Sequence, residues 1–383
     1  MSGRVQPGLR LVFVLIAVIF VPMIGARVAL ALFALELGAG AFEVGLIAAG
    51  SQIPMLFISI PVAKALERHG ARPLLYASAL CALAGTLLPY FQPDMPALYI
   101  SSLLFGAANT LAYQPTQTLT GLLSAPEALT RNFSRYSFIA SFTAFIGPFV
   151  SGIAIDWAGQ QTAMLVYLPF VLVTLGLLIA WGRALPGPSG ARAAAVGTIE
   201  TLRHSEVWRL VMISSISCVG FELYPFLLPL YGHAAGLSAS AIGGTVSVSA
   251  VGVILLPVML PRLAAWMGEE RVLGVCLALM GVSLVMLLAG THAAVLVASS
   301  FIFGFACYAA NPITSTLAYA RLPAEMAAQF LAVRNTGNAA LRVLTPPAFG
   351  ALAAVIGLPG VFVAGAVLMG VSGGWVGRKP GRA

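Results

Sequence analysis

Laid over itself with a shift of 198 residues, this chain matches at the residues that fix backbone shape. Gly45 meets Gly243, Gly70 meets Gly268, and Phe105-Gly106 meets Phe303-Gly304. Pro148 and Gly152 meet Pro346 and Gly350, while Gln114-Pro115 and Pro126 meet Asn311-Pro312 and Pro323 one residue out of step. Glycine permits backbone that other residues refuse, and proline fixes φ and removes a donor. Each half is therefore expected to be the same structural unit used twice, and the fold must be one that two copies can build.

The solvent for that fold follows from composition. The chain is 60% hydrophobic and 8% charged, with a mean hydropathy of +0.97. A soluble protein of 383 residues needs far more charge to cover its surface. Apolar stretches recur throughout, each near the ~20 residues that span a bilayer as helix. Twelve are placed, at 9–36, 43–65, 73–91, 96–122, 133–157 and 162–182, then 207–232, 239–262, 271–290, 294–320, 327–356 and 358–377. The alternation of a transmembrane barrel is missing. The expected class is an all-α integral membrane protein with two pseudo-symmetric six-helix bundles, 1–182 and 207–383, joined by a linker at 183–206. In so apolar a chain, a duplicated unit points to a secondary transporter with its binding site between the repeats.

Basic residues are excluded from alternate loops, which orients the chain. Arg4 and Arg10 precede the first span; Lys64, Arg68 and Arg72 follow the second; Arg131 and Arg135 lie near the fourth–fifth junction. Arg183, Arg192, Arg203 and Arg209 mark the linker, Arg262, Arg271 and Arg321 continue the series, and Arg378, Lys379 and Arg382 come last. The opposite loops hold Glu36, Glu43, Asp94 and Asp156 and no Lys or Arg. Both termini are expected in the cytoplasm and the protein in the cytoplasmic (inner) membrane. The net charge of +8 reflects this bias and not a nucleic-acid surface, which would cluster its basic residues on one face.

The basic start and apolar run resemble a signal peptide, but the run is too long and another span follows at once, so an uncleaved first helix is expected. Cys81, Cys218, Cys276 and Cys307 sit within spans without C-x-x-C spacing and read as packing residues. His69, His204, His233 and His292 are scattered over loops, so neither a metal nor a cofactor is expected. Asn132-Phe133-Ser134 matches a glycosylation pattern but falls on the cytoplasmic side.

Twelve spans, a duplicated half and a basic linker resemble the major facilitator superfamily over nearly the whole chain. The most specific local sign is the family's G-x-x-x-D-[RK]-x-G-R-[RK] loop after the second helix. Here Glu67, Arg68, Gly70 and Arg72 fit it by type, while Ala63 and Ala71 depart, and Ala265 takes the acidic position in the second half. The resemblance implies a cytoplasmic gating latch, in which an acid faces a helix N-terminus and a neighbouring cation. Obedience to the positive-inside rule accounts for the same basic residues. The fifth span reads Gly147-Pro148-Phe149-Val150-Ser151-Gly152, similar to the G-P-x-x-G-G motif of the family's exporters, with Ser151 for one Gly and Thr143 where an earlier Gly is usual. Proline bends such a helix and small residues let a neighbour approach, which is also ordinary membrane packing. Ser101 and Ser102 occupy the region where proton-coupled exporters often carry an Arg, so their proton relay is not carried over.

Arg27, Glu222, Arg334 and Arg342 lie well within spans. A charge at the bilayer centre costs at least ~2.5 kcal/mol, so each is expected to face a cavity or a partner. Glu222 falls one helical turn from Arg27 in the repeat frame, which makes a pair across the repeats geometrically available, functional or structural. Arg334, Asn338 and Arg342, with Thr345, share one face at i, i+4, i+8. Arg334 reads as snorkelling to the cytoplasmic interface, and Arg342 as a substrate or coupling residue. The family fold places further polar groups around its cavity: Gln52, Asn109, Tyr113, Gln114 and Gln117, then Tyr308, Asn311 and Thr314. Gln114-Pro115 and Asn311-Pro312 each set an amide before a helix-breaking proline, as binding sites in transporters do.

These features favour proton-coupled efflux of a small organic molecule by alternating access, in a monomer whose partners are the solute, protons and the bilayer. Glu222 is the default proton carrier. ATP use is disfavoured, since no G-x-x-x-x-G-K-[ST] loop occurs. Uptake or facilitated diffusion of a small organic anion, with Arg27 and Arg342 as counter-charges, is the alternative. An intramembrane enzyme lacks support, because Asp94 and Asp156 are the only aspartates and no buried His accompanies a Ser. A non-transporting receptor fits two matched halves less well than moving bundles do.

Overall fold

A computed structural model describes residues 7–187 and 204–377. Of the basic residues used above, Arg4, Arg192, Arg203, Arg378, Lys379 and Arg382 lie outside the described residues, as does most of the expected linker. Thirteen α-helices follow one another, and no strand occurs among the described residues. They are α1 (Pro7–Glu36), α2 (Ala41–Gly50), α3 (Ile53–His69), α4 (Ala71–Phe91), α5 (Met95–Leu122), α6 (Leu129–Ala163) and α7 (Leu168–Trp181). Then come α8 (Ser205–Ala234), α9 (Ala239–Met267), α10 (Glu269–Met286), α11 (Ala293–Cys307), α12 (Ala310–Arg321) and α13 (Ala324–Gly377). Helix is the local solution because a backbone in hydrocarbon must bond to itself.

Ten helical stretches among the described residues are long and apolar enough to cross a membrane. The difference from the twelve expected has a definite origin. The expected fifth and sixth spans form one continuous helical run, Arg131–Ala184, and the last two run together within α13. Each run contains one glycine outside helical geometry, Gly159 at φ 75° and Gly357 at φ 73°. These two glycines are again 198 residues apart.

The helices form two compact units. The first takes the described residues up to Ala39, those from Leu46 to the linker, and Ser238–Ser247. The second takes Gly40–Gly45, the described residues from the linker to Leu237, and those from Val248 onward. Each unit thus includes the opening turns of a helix whose remainder lies in the other.

In the first unit α1 lies along α6 and also meets α5 and α7, while α4 packs on α5. A side chain built on Gly25 would stand 2.8 Å from the carbonyl oxygen of Gly147, so α1 and α6 touch backbone to backbone there. In the second unit α13 lies against α8 and α10, and α10 meets α11. Polar side chains staple these contacts. The Ser101 hydroxyl donates to the Gly85 carbonyl at 2.6 Å, and its repeat equivalent Ser299 donates to the Ser283 carbonyl at 2.8 Å. Ser101 therefore joins α5 to α4, while Ser102 bonds within its own helix to the Tyr99 carbonyl. The buried rings of Tyr167 and Tyr224 each keep a hydroxyl partner, Ser151 at 2.6 Å and Ser299 at 2.8 Å, as buried tyrosines require.

Candidate functional site

Within the second unit, α8, α13 and the junction of α11 with α12 line a small polar cavity that is open on one side. Ser214, Ser217, Cys218 and Phe221 line it from α8, at the i, i+3, i+4, i+7 spacing of one helical face. Asn338 and Arg342 line it from α13, one turn apart. The third wall is the break at Tyr308 and Ala309, where α11 stops and α12 begins, and it supplies Cys307, Tyr308 and Asn311. Pro312 cannot donate to the preceding turn, which explains a break at this point.

The electrostatic centre is Glu222 with Arg342. Arg342 Nη1 lies 3.7 Å from Glu222 Oε1, and the guanidinium carbon stands 5.0 Å from the centre of the Phe221 ring. The two partners meet the cavity differently: the Glu222 side chain is 1% exposed and that of Arg342 29%. The carboxylate is set behind the guanidinium, so a molecule in the cavity meets the cation first. Phe221 in turn meets Tyr308 edge-on at 5.5 Å. Asn338 donates from Nδ2 to the Ser214 hydroxyl at 3.0 Å, and its main-chain carbonyl accepts from the Cys218 thiol at 3.5 Å. The Asn338 Oδ1 atom is buried without a hydrogen-bond partner, an acceptor left for a ligand or water.

Arg334 is turned inward. It is 8% exposed, and Nη1 donates to the Asn311 carbonyl at 3.3 Å, the Thr314 hydroxyl at 3.1 Å and the Ser315 hydroxyl at 2.9 Å. Where the sequence suggested snorkelling, the guanidinium clasps α13 to α12 through these acceptors.

Of the residues singled out in the sequence, the cavity gathers Tyr308, Asn311, Asn338 and Arg342, with Glu222 behind. Arg27, Gln52, Asn109, Tyr113, Gln114 and Gln117 belong to the first unit. There Gln52 is 9% exposed at the junction of α2 and α3. Tyr113 stands edge-on to Phe20 at 6.4 Å, and the Gln114 Oε1 atom is buried without a hydrogen-bond partner. Inside its own unit, Glu222 has Arg342 beside it. Glu67 and Arg68 end α3, and Gly70 makes the turn at φ 76°, matched by Gly268 at φ 85°. Arg72 stacks over Tyr76 at 5.7 Å. In the fifth-span motif, Gly147 meets α1, while Pro148 and Gly152 meet the start of α9.

Sequence reasoning missed Ser214, Ser217, Cys218, Phe221 and Cys307. The first four share one face of the helix that carries Glu222, with small polar residues beside the Phe221 ring, and that periodicity is the signal that identifies them. Cys218 and Cys307, read as packing residues, are buried and also line the cavity.

Comparison with known proteins agrees with this architecture. A family model described as Major Facilitator Superfamily matches residues 11–338, and again 210–382. An uncharacterized MFS-type transporter, YcnB of Bacillus subtilis (strain 168), is 25% identical over 170 residues, 44% of this chain. The match spans only 33% of that relative's length. Among solved structures, the nucleoside transporter NupG superposes with a TM-score of 0.80 at 12% identity, covering 96% of this chain and 98% of that one. A POT family transporter in complex with 5-aminolevulinic acid superposes with a TM-score of 0.78 at 13% identity, covering 96% and 95%. At such identities the likeness is one of fold.

Proposed function

We propose, from the premise that this chain belongs to the Major Facilitator Superfamily, that it is a secondary transporter moving a small organic molecule across the membrane by alternating access. Reading α6 with α7, and α13, as two spans each gives twelve, since a 54-residue helical stretch at 1.5 Å per residue far exceeds a ~30 Å hydrocarbon core. The non-helical glycines at 159 and 357 supply the breaks. Basic residues on one set of loops support cytoplasmic termini and an inner-membrane location.

The observation that carries the coupling mechanism is the Glu222–Arg342 pair on the cavity wall. An ionised Glu222 holds Arg342 by Coulomb attraction, and a protonated Glu222 releases it. A carboxylate that alternates between these states takes up a proton on one side and delivers it on the other. Proton entry driving solute exit is the reading that the exporter-like Gly147-Pro148 motif favours. It requires a solute that binds while Glu222 is charged.

The exposure of Arg342 supports a second reading, uptake of a small organic anion. An anion would compete with Glu222 for the guanidinium and would bind together with a proton. Proteoliposomes separate the two readings. A panel of labelled sugars, organic cations and organic acids is tested for counterflow, then for accumulation under an imposed pH gradient. Efflux predicts that an inward proton gradient expels the solute, and anion uptake predicts that it concentrates it. No exchange of any solute across the panel sinks the transport reading.

A further inference from the structure

The backbone contact between Pro148, Gly152 and the start of α9 occurs twice in the chain. In the first unit a side chain built on Gly152 would stand 2.8 Å from the Ser240 Cα, and one on Gly243 would stand 3.1 Å from the Pro148 carbonyl carbon. In the second unit a side chain on Gly350 would stand 2.9 Å from the Phe42 Cα, and one on Gly45 would stand 2.8 Å from the Pro346 carbonyl carbon. Every residue of one set is the other displaced by 198. The two seams, α6 with α9 and α13 with α2, are the same packing solution, with glycines letting two backbones touch.

They differ in how they are fastened. At the α9 seam, the Asp156 carboxylate accepts from the Ala239 N–H and the Ser240 N–H, each at 2.9 Å. Two of the four orphan donors of one helix are thus satisfied by a side chain of another, and negative charge sits at the positive end of the helix. Two turns further along α9, the Ser247 hydroxyl donates to the Phe145 carbonyl at 2.6 Å. At the α2 seam the corresponding positions are Ala354 and Ala49, which can form neither bond. There the helix start is capped from within, by Glu43 accepting from the Gly40 N–H at 2.7 Å.

We propose that Asp156 is a positioning residue that fastens the first turns of α9 to α6, so that of two equivalent seams the one at α2 releases more readily. In a carrier whose helix ends part during its cycle, this makes the two repeats unequal, although their backbones match. The inference goes beyond the transport reading, and its test needs no solute.

The test is hydrogen–deuterium exchange of the full chain in nanodiscs, followed peptide by peptide. In the unaltered protein the amides of 239–247 exchange more slowly than those of 41–49. Asp156→Asn removes the charge and one acceptor, and exchange of 239–247 rises about fivefold, the effect of losing a helix cap. Peptides from α8 and α10 keep their rates, which a general loss of stability would not allow. Ala354→Asp installs the missing carboxylate and slows exchange of 41–49 by a similar factor, an effect that misfolding does not mimic. Unchanged exchange of 239–247 in Asp156→Asn, or an equal rise in α8 and α10, overturns the proposal. If Asp156→Asn does not fold, Ala354→Asp decides alone: slower exchange at 41–49 supports the fastening, and no change rejects it.

Discussion

Glu222 and Arg342 do different things because they are exposed differently. Removing one of them leaves the other in an environment built for a pair. Arg342→Ala takes a cation away from a carboxylate that is 1% exposed, and removing one partner of a buried pair costs up to roughly 3–5 kcal/mol. Arg342→Ala is therefore expected to unfold at lower temperature than the parent, with the loss largely reversed in Arg342→Ala/Glu222→Gln; thermal unfolding in detergent compares the two. Glu222→Gln alone preserves size and hydrogen bonding while removing the titratable charge. It is expected to abolish accumulation or efflux driven by a pH gradient and to leave counterflow partly intact. Persistent gradient-driven transport by Glu222→Gln would make the carboxylate structural. Arg334 is held by α12 through its planar fork, and Arg334→Lys loses that geometry.

Glycine substitutions distinguish the three jobs that glycine does in these helices. Gly159 has φ 75° with open space around it, so the only objection to a side chain there is the backbone itself. Gly159→Ala is expected to cost about 1–2 kcal/mol, and Gly357→Ala a similar amount. Gly25 in α1 has helical backbone but lies against the backbone of α6, so Gly25→Val drives the two helices apart at about 1–3 kcal/mol. Gly176 in α7 has neither constraint, and nothing lies within 4 Å of a side chain placed there. Gly176→Ala should stabilise α7 by about 0.5–1 kcal/mol. Midpoints of thermal unfolding for the four variants check the order, and an equal loss in all four would refute the assignment of separate roles.

For the whole molecule, the distribution of basic residues makes the testable statement. If the termini are cytoplasmic, cysteines introduced beside Asp94 and His292 react with an impermeant maleimide in intact cells, and one beside Gly190 reacts only after permeabilisation. Labelling beside Gly190 in intact cells would invert the topology. A related expectation concerns the loop between α3 and α4. Glu67→Ala should shift the resting population toward the inward-open state, because a latch made only when the bundles meet would be lost. Unchanged distances between spin labels on the cytoplasmic ends of the two halves would count against the latch.

The sequence alone determined the class of fold and its duplication. Apolar runs leave the backbone no partner but itself, and glycine and proline act locally, so both signals are written in consecutive residues. The repeat was legible down to Gly70 with Gly268, whose positive φ the structure gives to both. Single positions were legible where chemistry is costly, which is why Glu222, Asn338 and Arg342 could be picked out from depth and spacing. Their partners were decided only by tertiary structure. Within its unit Arg342 stands beside Glu222, Arg334 turns to α12, and Ser214, Ser217 and Phe221 line the cavity. Helical periodicity fixes which residues share a face, but the neighbour each face meets depends on packing between separate helices, from 20 to 124 residues apart in these contacts, and no local pattern encodes it.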